Sequence, residues 1–283
     1  MVRFKVIRGS HLMLTLSALI LAAVVAFILL QSSAAVEDSS RYSRNEAKAI
    51  SAFASNPSED ASVQIEIIAD KQETHPFANT QSILIYHTHT HEAYEQTETS
   101  SYEALEAWRT EDEQHSVVRI GAALEDELSK LGYFVVHDRT DHEKDNMDLA
   151  YVRSLETLEA YSLDFDLVID IHRDAYVEGL PRCLEADGER YAQIMLLVGN
   201  GDSYQGAERP DYEKNLSFAQ QLTRTLNQMQ EGIARNVTIK KGRYNQHIGK
   251  NSVLIEVGHN QNTLDEALAS VPILAKSIAK ILK

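Results

Sequence analysis

The feature that most constrains this chain is a short apolar run that ends abruptly in three histidines. Residues 83–86 are apolar or aromatic and predict a buried strand, and His87, His89 and His91 follow it at alternate positions. His89 and Glu92 have the spacing His-x-x-Glu, so a chain that turns once after a strand presents an imidazole and a carboxylate to one ion. Zinc readily accepts this mixture of ligands. The strand is therefore predicted to lead into a metal site.

Two later apolar runs also carry a polar residue suited to such a site. DLVIDIHRDA places His172 after its apolar residues, and NSVLIEVGHN places Glu256 within its own. The carboxyl ends of parallel strands meet along one sheet edge, so we expect His89, Glu92, His172 and Glu256 to converge there. A carboxylate inside an apolar run is costly to bury without a partner, which favours a polar pocket around Glu256. Three ligands and one free carboxylate predict a hydrolytic zinc site.

Strand-like and helix-like segments alternate after residue 80. Apolar residues at helical spacing predict helices near residues 117–131, 149–161 and 216–229, and apolar runs predict further strands at residues 133–137, 166–172, 192–199 and 252–258. Residues 95–114 are polar and acidic and predict a loop over the edge of the site. The fold class predicted is α/β, with a mainly parallel sheet and helices on both faces.

The sequence at the carboxyl end of the chain predicts a helix with an N-terminal cap and a break at a proline. Thr263 and Glu266 have the spacing of a capping box ahead of an apolar-periodic segment. Pro272 lacks the N–H that a helix interior requires, so the segment is expected to split into two helical pieces.

Charge and cysteine content exclude two classes of protein. The 283-residue chain has a formal net charge of −15 and no basic stripe, which argues against nucleic-acid binding. Its single cysteine, Cys183, excludes an internal disulfide framework and a zinc site built from thiolates. Cys183 stands between polar residues and is interpreted as an inert loop thiol.

The amino-terminal part predicts a membrane anchor. Residues 12–30 form an apolar run long enough to cross most of a bilayer core of about 30 Å. Arg3, Lys5 and Arg8 precede it, so the positive-inside rule puts residues 1–11 in the cytoplasm. We expect an anchor at residues 12–31, an extracytoplasmic spacer at 32–80 and a catalytic domain at 81–283. A cleaved signal peptide is the competing interpretation, because SSAAV follows the run.

The choice among the neighbouring histidines stays open at this point. His87 and His89 lie on the same side of an extended chain, so either is a possible first ligand, and the spacing to Glu92 favours His89. His91 is interpreted as a solvated neighbour. His115, just ahead of a predicted helix, is a further candidate ligand or partner of a ligand.

The combination YHTHTHEAY, DIHRDA, RYNQH and LIEVGHNQNTLDEA resembles the stage II sporulation protein P family from about residue 81 to the end. The resemblance implies a membrane-anchored, zinc-dependent N-acetylmuramoyl-L-alanine amidase, in some members also an endopeptidase. Such enzymes degrade septal peptidoglycan during engulfment, and the resemblance implies stage II sporulation proteins D and M as partners. It implies His89, Glu92 and His172 as metal ligands and Glu256 as the catalytic acid/base.

Two other functions fit the same residues. A zinc carboxypeptidase uses the same constellation on free peptides, and a degenerate module would bind wall glycan without chemistry. Arg173 and Arg243 are candidate contacts for a stem-peptide carboxylate, although surface salt bridging is the favoured role for each.

Overall fold

The computed structural model describes residues 80–204, 206 and 208–282. The predicted cytoplasmic tail and anchor, and the spacer up to residue 79, lie outside these residues and stay predictions, as does the domain boundary at residue 81. In the part of the chain that is described, no helix is both long and apolar enough to cross a membrane.

Six strands form the central sheet, in the spatial order β2-β1-β3-β8-β6-β7. They are β1 (Ser82–Tyr86), β2 (Phe134–His137), β3 (Leu167–Asp174), β6 (Ile194–Gly199), β7 (Thr238–Lys240) and β8 (Ser252–His259). Four of the five pairings are parallel, and only β6 with β8 is antiparallel. Two short strands, β4 (Leu184–Ala186) and β5 (Glu189–Tyr191), form a separate antiparallel hairpin. The sheet is therefore mainly parallel, as the sequence predicts.

Helices cover both faces of this sheet. They are α1 (Val117–Lys130), α2 (Ala150–Ala160), α3 (Tyr212–Met229) and α4 (Leu264–Ile281). Side chains alternate along β1, so Ile83 and Ile85 join the larger core with α1, α3 and α4. Leu84 packs on the opposite face, in a smaller core with Leu158 of α2. The strands between these layers are apolar on both faces, which explains their nearly continuous hydrophobic runs.

The last helix corrects one prediction. The Thr263 side chain accepts from the Glu266 N–H, and the Glu266 carboxylate accepts in return from the Thr263 N–H, so the capping box is present. Pro272, however, does not split the segment: α4 is one helix from Leu264 to Ile281. Buried residues before and after the proline, such as Val271 and Leu274, pack into the larger core. This packing outweighs the one backbone hydrogen bond that proline removes.

Candidate metal centre

The carboxyl ends of three adjacent parallel strands supply the site. β1, β3 and β8 are neighbours in the sheet, and His172 of β3 lies directly opposite Glu256 of β8 in the strand register. β8 contains one extra residue just beyond this pair, and Gly258 there has a φ of 78°, a left-handed conformation that favours glycine. His89 and Glu92 follow β1 directly. The predicted convergence of strand ends is therefore the arrangement that the fold produces.

The four predicted residues lie together at this edge. The His89 and His172 rings have their centroids 5.5 Å apart, and Glu92 Oε2 lies 3.3 Å from His172 Nδ1. The Arg173 N–H donates to the same Glu92 oxygen at 3.0 Å. Glu256 interacts electrostatically with both His172 and Glu92. One edge thus holds two imidazoles and two carboxylates.

Three buried polar atoms of β3 and β8 at this edge have no hydrogen-bond partner among the described residues: His172 Nε2, Glu256 Oε2 and His259 Nε2. His172 Nε2 lies 3.0 Å from Asp170 Oδ1 and forms an ion pair with it, so the unsatisfied carboxylate oxygen of Glu256 is the clearer sign of a site. Orphaned buried polar atoms are costly, and at a site they indicate a missing ligand. Two imidazoles and a carboxylate are also a donor set typical of zinc. The residues present therefore fit a zinc ion.

Burial and charge perturb the titration of these groups. Burial raises the pKa of Glu256 to about 8; the positive charge of His172 opposes this shift, and the carboxylate of Glu92 adds to it. Burial alone would lower the pKa of His172, but the carboxylates of Asp170 and Glu92 outweigh it and hold that pKa well above the usual range. Strong perturbation of several groups in one place is typical of functional sites.

His87, the alternative first ligand, is fully buried and engaged on both ring nitrogens. Its Nδ1 lies 3.0 Å from the carbonyl oxygen of Ile171, and its Nε2 lies 2.9 Å from His137 Nε2. A carbonyl only accepts, so His87 donates from Nδ1 and accepts from His137 at Nε2. Burial lowers the pKa of His87 to about 4, which keeps the ring neutral. Both nitrogens of His87 are therefore occupied by protein partners.

The rings of His91 and His115 each pair with an aspartate. His91 is buried, with Nε2 3.2 Å from Asp141 Oδ2, so the interpretation of a solvated neighbour is wrong. The reason is that the chain folds back after β2 and covers this side of the site. His115 Nδ1 lies 2.8 Å from Asp112 Oδ2, and its ring packs near Tyr102.

The two candidate arginines have different surroundings. Arg173 donates from its side chain to the carbonyl oxygens of Ala93 and Trp108, at 3.1 Å each, and so holds the loop after Glu92 against β3. Arg243 lies over the ring of Tyr204, with its guanidinium carbon 4.1 Å from the centroid. Arg243 also lines a mostly apolar groove of about 300 Å³.

That groove adjoins the site through Tyr151. The Tyr151 ring contacts the His89 ring edge-on, with centroids 5.7 Å apart, and contacts Tyr244 at 5.6 Å. Tyr151, Tyr204, Arg243 and Tyr244 all line the groove. A substrate held at the strand ends therefore has an aromatic surface beside it.

Sequence reasoning missed Asp170 and Glu143. Asp170 is buried and accepts from the Thr88 N–H at 2.8 Å and from the Thr88 hydroxyl at 2.6 Å. It stands inside the apolar run VIDI, the same signal that identified Glu256. Glu143 accepts from His89 and follows β2, the strand next to β1, so a search of all strand ends would have included it.

A second group of metal-type side chains lies elsewhere. Within residues 80–204, 206 and 208–282, one set of three places a donor atom of each residue within 4.8 Å of the others: Glu159, Glu208 and His247. The predicted ligands are not in it. Both glutamates are exposed, and Arg243 Nη1 lies 3.6 Å from Glu208 Oε2, so a cation already partners this group. Exposed acidic groups of this kind commonly occur without an ion.

Cys183 lies just ahead of β4 and is half-buried as a free thiol. Burial raises its pKa, with Glu266 adding to the shift. A raised thiol pKa disfavours the thiolate, in agreement with the prediction of an inert residue.

Several solved structures are similar to this chain. The N-acetylmuramoyl-L-alanine amidase from Clostridium difficile 630 is 18% identical with a TM-score of 0.44, over 71% of this chain and 94% of that one. The catalytic domain of CwlV, an N-acetylmuramoyl-L-alanine amidase from Bacillus (Paenibacillus) polymyxa var. colistinus, is 14% identical with a TM-score of 0.41, over 71% and 94%. The CwlD amidase from Clostridioides difficile, in complex with the GerS lipoprotein, is 15% identical with a TM-score of 0.40, over 71% and 95%.

The family comparison covers nearly the whole chain. No protein with a curated description matches this sequence. The family model for stage II sporulation protein P (SpoIIP) matches residues 17–279, a span that includes β1, β3, β8 and every residue of the candidate metal centre. The chain belongs to the stage II sporulation protein P family.

Proposed function

We propose that this chain is a zinc-dependent N-acetylmuramoyl-L-alanine amidase that hydrolyses peptidoglycan during sporulation. Membership of the stage II sporulation protein P family supports the role in sporulation. The observation that carries the chemistry is the pairing of His172 with Glu256 across β3 and β8, each with a buried polar atom that lacks a hydrogen-bond partner. A buried, unpartnered carboxylate beside imidazoles is typical of a general base at a metal site.

His89, Glu92 and His172 are the proposed zinc ligands. Three protein ligands are typical of a catalytic zinc site, in which the fourth position stays open. Bound there, zinc supplies a Lewis acid for the scissile carbonyl and lowers the pKa of a water toward about 7. The Arg173 N–H donates to one oxygen of Glu92, and the Arg173 side chain holds the loop after Glu92 against β3.

Glu256 is the proposed acid/base. Glu256 acts in its ionised form, which a zinc ion bound nearby would favour, and in this form the carboxylate takes a proton from the attacking water. It then delivers that proton to the leaving amine nitrogen, so that the amide C–N bond breaks and a carboxylic acid and a free amine form. β8 is buried along its whole length, so the carboxylate is held in position by the sheet. This rigidity keeps the base directed at the strand ends.

The proposed substrate bond is the amide between the lactyl group of N-acetylmuramic acid and L-alanine of the stem peptide. The groove beside His89 supports a saccharide or peptide substrate, since tyrosine rings offer apolar faces with polar edges. Arg243 at this groove is available to a stem-peptide carboxylate once it exchanges its contact with Tyr204. The same site is also proposed to cleave stem-peptide cross-links as an endopeptidase.

The proposed location is the sporulation septum. The amino-terminal run anchors the chain in the membrane with its tail in the cytoplasm, and the spacer holds the enzyme domain on the outer side. Family resemblance makes stage II sporulation proteins D and M the proposed partners in engulfment.

The second candidate is a zinc carboxypeptidase, because the same ligands serve both reactions. A panel of purified muropeptides and plain peptides separates the two. An amidase cleaves only substrates that carry the muramoyl group and leaves plain peptides intact. Release of carboxy-terminal residues from plain peptides at a comparable rate would favour the carboxypeptidase, and binding to wall glycan without any cleavage would favour a non-catalytic module.

A further inference from the structure

Glu143 is a buried carboxylate directly behind the proposed ligand His89. Its side chain is only 1% exposed, and it lies in the segment that follows β2. Three donors surround it: His89 Nδ1 at 2.9 Å and Arg109 Nη2 at 2.7 Å contact Oε1, and the backbone N–H of His91 contacts Oε2 at 2.8 Å. The carboxylate is directed inward, so a solvent-exposed role does not explain its position.

These contacts determine which nitrogen of His89 carries the proton. Arg109 and the His91 N–H are groups that can only donate, so both Glu143 oxygens act as acceptors. His89 must then donate to Glu143 from Nδ1, which leaves the lone pair on Nε2. A carboxylate that accepts from a ligating histidine in this way fixes its tautomer and orientation and raises its basicity.

Arg109 links this carboxylate to a second proposed ligand. Arg109 pairs with Glu92 in an isolated antiparallel bridge, and the backbone of the same loop continues to Thr110, whose N–H donates to the carbonyl oxygen of His91. The loop between β1 and α1 therefore places Arg109 beside Glu143 and sets the backbone of Glu92 at the same time.

We propose that Glu143, held by Arg109, is a positioning residue that presents His89 Nε2 to the metal. The proposal rests on the proposed function, because it assumes that His89 is a ligand. Glu143 touches neither the metal nor the substrate; it acts through His89.

Glu143→Gln tests the proposal with little change of volume. An amide has one acceptor oxygen where the carboxylate has two, so either His89 and Arg109 or the His91 N–H loses its acceptor. The expected result is a zinc dissociation constant raised about 10- to 100-fold in the full-length protein, measured by chelator competition. Glu106→Gln is the matched control: it removes the other carboxylate bonded to Arg109, at 2.9 Å from Nε, but Glu106 is 65% exposed. The control should keep wild-type zinc affinity.

A second measurement does not depend on activity, and its wild-type arm does not depend on how well the variant folds. Nitrogen-15 NMR of metal-free, histidine-labelled full-length protein should show His89 protonated at Nδ1, with the signal assigned from His89→Gln. Glu143→Gln should populate the Nε2-protonated tautomer. Protonation of wild-type His89 at Nε2, or wild-type zinc affinity in Glu143→Gln, would overturn the proposal.

Failure of the proposal and failure of the proposed function give different results. If His89→Gln itself retains full zinc affinity, the ligand assignment is wrong, whatever the tautomer of His89. If His89→Gln loses zinc and Glu143→Gln does not, the ligand assignment stands and only the role of Glu143 is refuted.

Discussion

His172 and Glu256 lie opposite each other on the adjacent parallel strands β3 and β8, at the sheet edge where the carboxyl ends of β1, β3 and β8 lie. Side chains alternate between the two faces of a strand, so a slip of one residue in this register would turn Glu256 away from His172. Val253, Ile255 and Val257 on the other face of β8 pack into the larger core, and a slip would turn Glu256 into that core in their place. The packing of the core therefore fixes the geometry of the site.

Zinc should bind the full-length chain at close to one ion per molecule, through His89, Glu92 and His172. His89→Ala and His172→Ala should each lose zinc, because two remaining ligands bind weakly. Elemental analysis of the purified variants measures this directly. His91→Ala should keep most of the zinc, since its ring contacts Asp141.

The double variant Glu159→Gln/Glu208→Gln is the control for the zinc experiment. It removes both acids of the second metal-type group and leaves the strand ends unchanged. If this double variant loses zinc and His89→Ala retains it, the metal binds at that second group and not at the strand ends. Loss of zinc in His87→Ala but not in His89→Ala would show that the first ligand is His87 and not His89.

The mainly parallel sheet could be predicted from the sequence because of one geometric rule, and so could the convergence of His89, Glu92, His172 and Glu256. Parallel strands end along one edge, so polar residues at the ends of apolar runs share a location without any knowledge of their contacts. The helix over residues 117–130 was equally predictable, since its apolar residues repeat at helical spacing and Ser116 caps it.

Other features depend on contacts between distant segments and were not predictable. Glu143 is 54 residues from His89 in sequence, and although it follows a strand, nothing near it shows that it turns inward to contact His89. His91 is buried because the segment after β2 covers it. Pro272 stays within one helix because residues on both sides of it pack into the core, a stabilisation that local sequence does not report.

Gly121 is predicted to be indispensable for the packing of the buried pair His87 and His137. A Cβ at Gly121 would lie 2.5 Å from His137 Nε2 and 2.6 Å from His87 Nε2, the two atoms that bond each other. Gly121→Ala should lower the free energy of unfolding by about 1–3 kcal/mol, although alanine is the better helix former. Chemical denaturation measures this, with exposed Ser129→Ala in the same helix as control. Equal or higher stability of Gly121→Ala would refute the close packing.

Acid should destabilise the metal-free protein partly through His137. Burial, His87 and Arg139 lower its pKa to about 3 in the fold, and Asp138 opposes them. Glu125 Oε2, from α1, lies 3.4 Å from its Nδ1. The unfolded chain takes up a proton below about pH 6.5, whereas the folded chain does not until about pH 3. Protonation in this window therefore favours unfolding.

His137 lowers the free energy of unfolding by at most about 1.4 kcal/mol for each pH unit of acidification in this window. Denaturant unfolding between about pH 7 and pH 4, with chelator present, should show a smaller fall in stability for His137→Gln than for wild type. Parallel stability curves for the two proteins would mean that His137 is protonated in the fold.

The topology of the chain is a separate prediction from Arg3, Lys5 and Arg8. A reporter fused after Lys283 should be active only outside the cytoplasm, because the positive residues hold the amino terminus inside. Protease added to intact protoplasts should remove the enzyme domain. Protection of the domain from that protease would reverse the predicted orientation.

The central claim is that Glu256 performs acid/base chemistry at a zinc site on the muramoyl–L-alanine bond. The direct measurement is digestion of purified sacculi by wild type and Glu256→Gln, with new L-alanine amino termini, reducing ends and zinc content assayed on the same samples. Wild type should release L-alanine termini without new reducing ends. Glu256→Gln should keep its zinc and lose about 10²-fold or more of the turnover, because an amide cannot take a proton from water at neutral pH. Near-normal cleavage by the variant, or new reducing ends from wild type, would contradict the account.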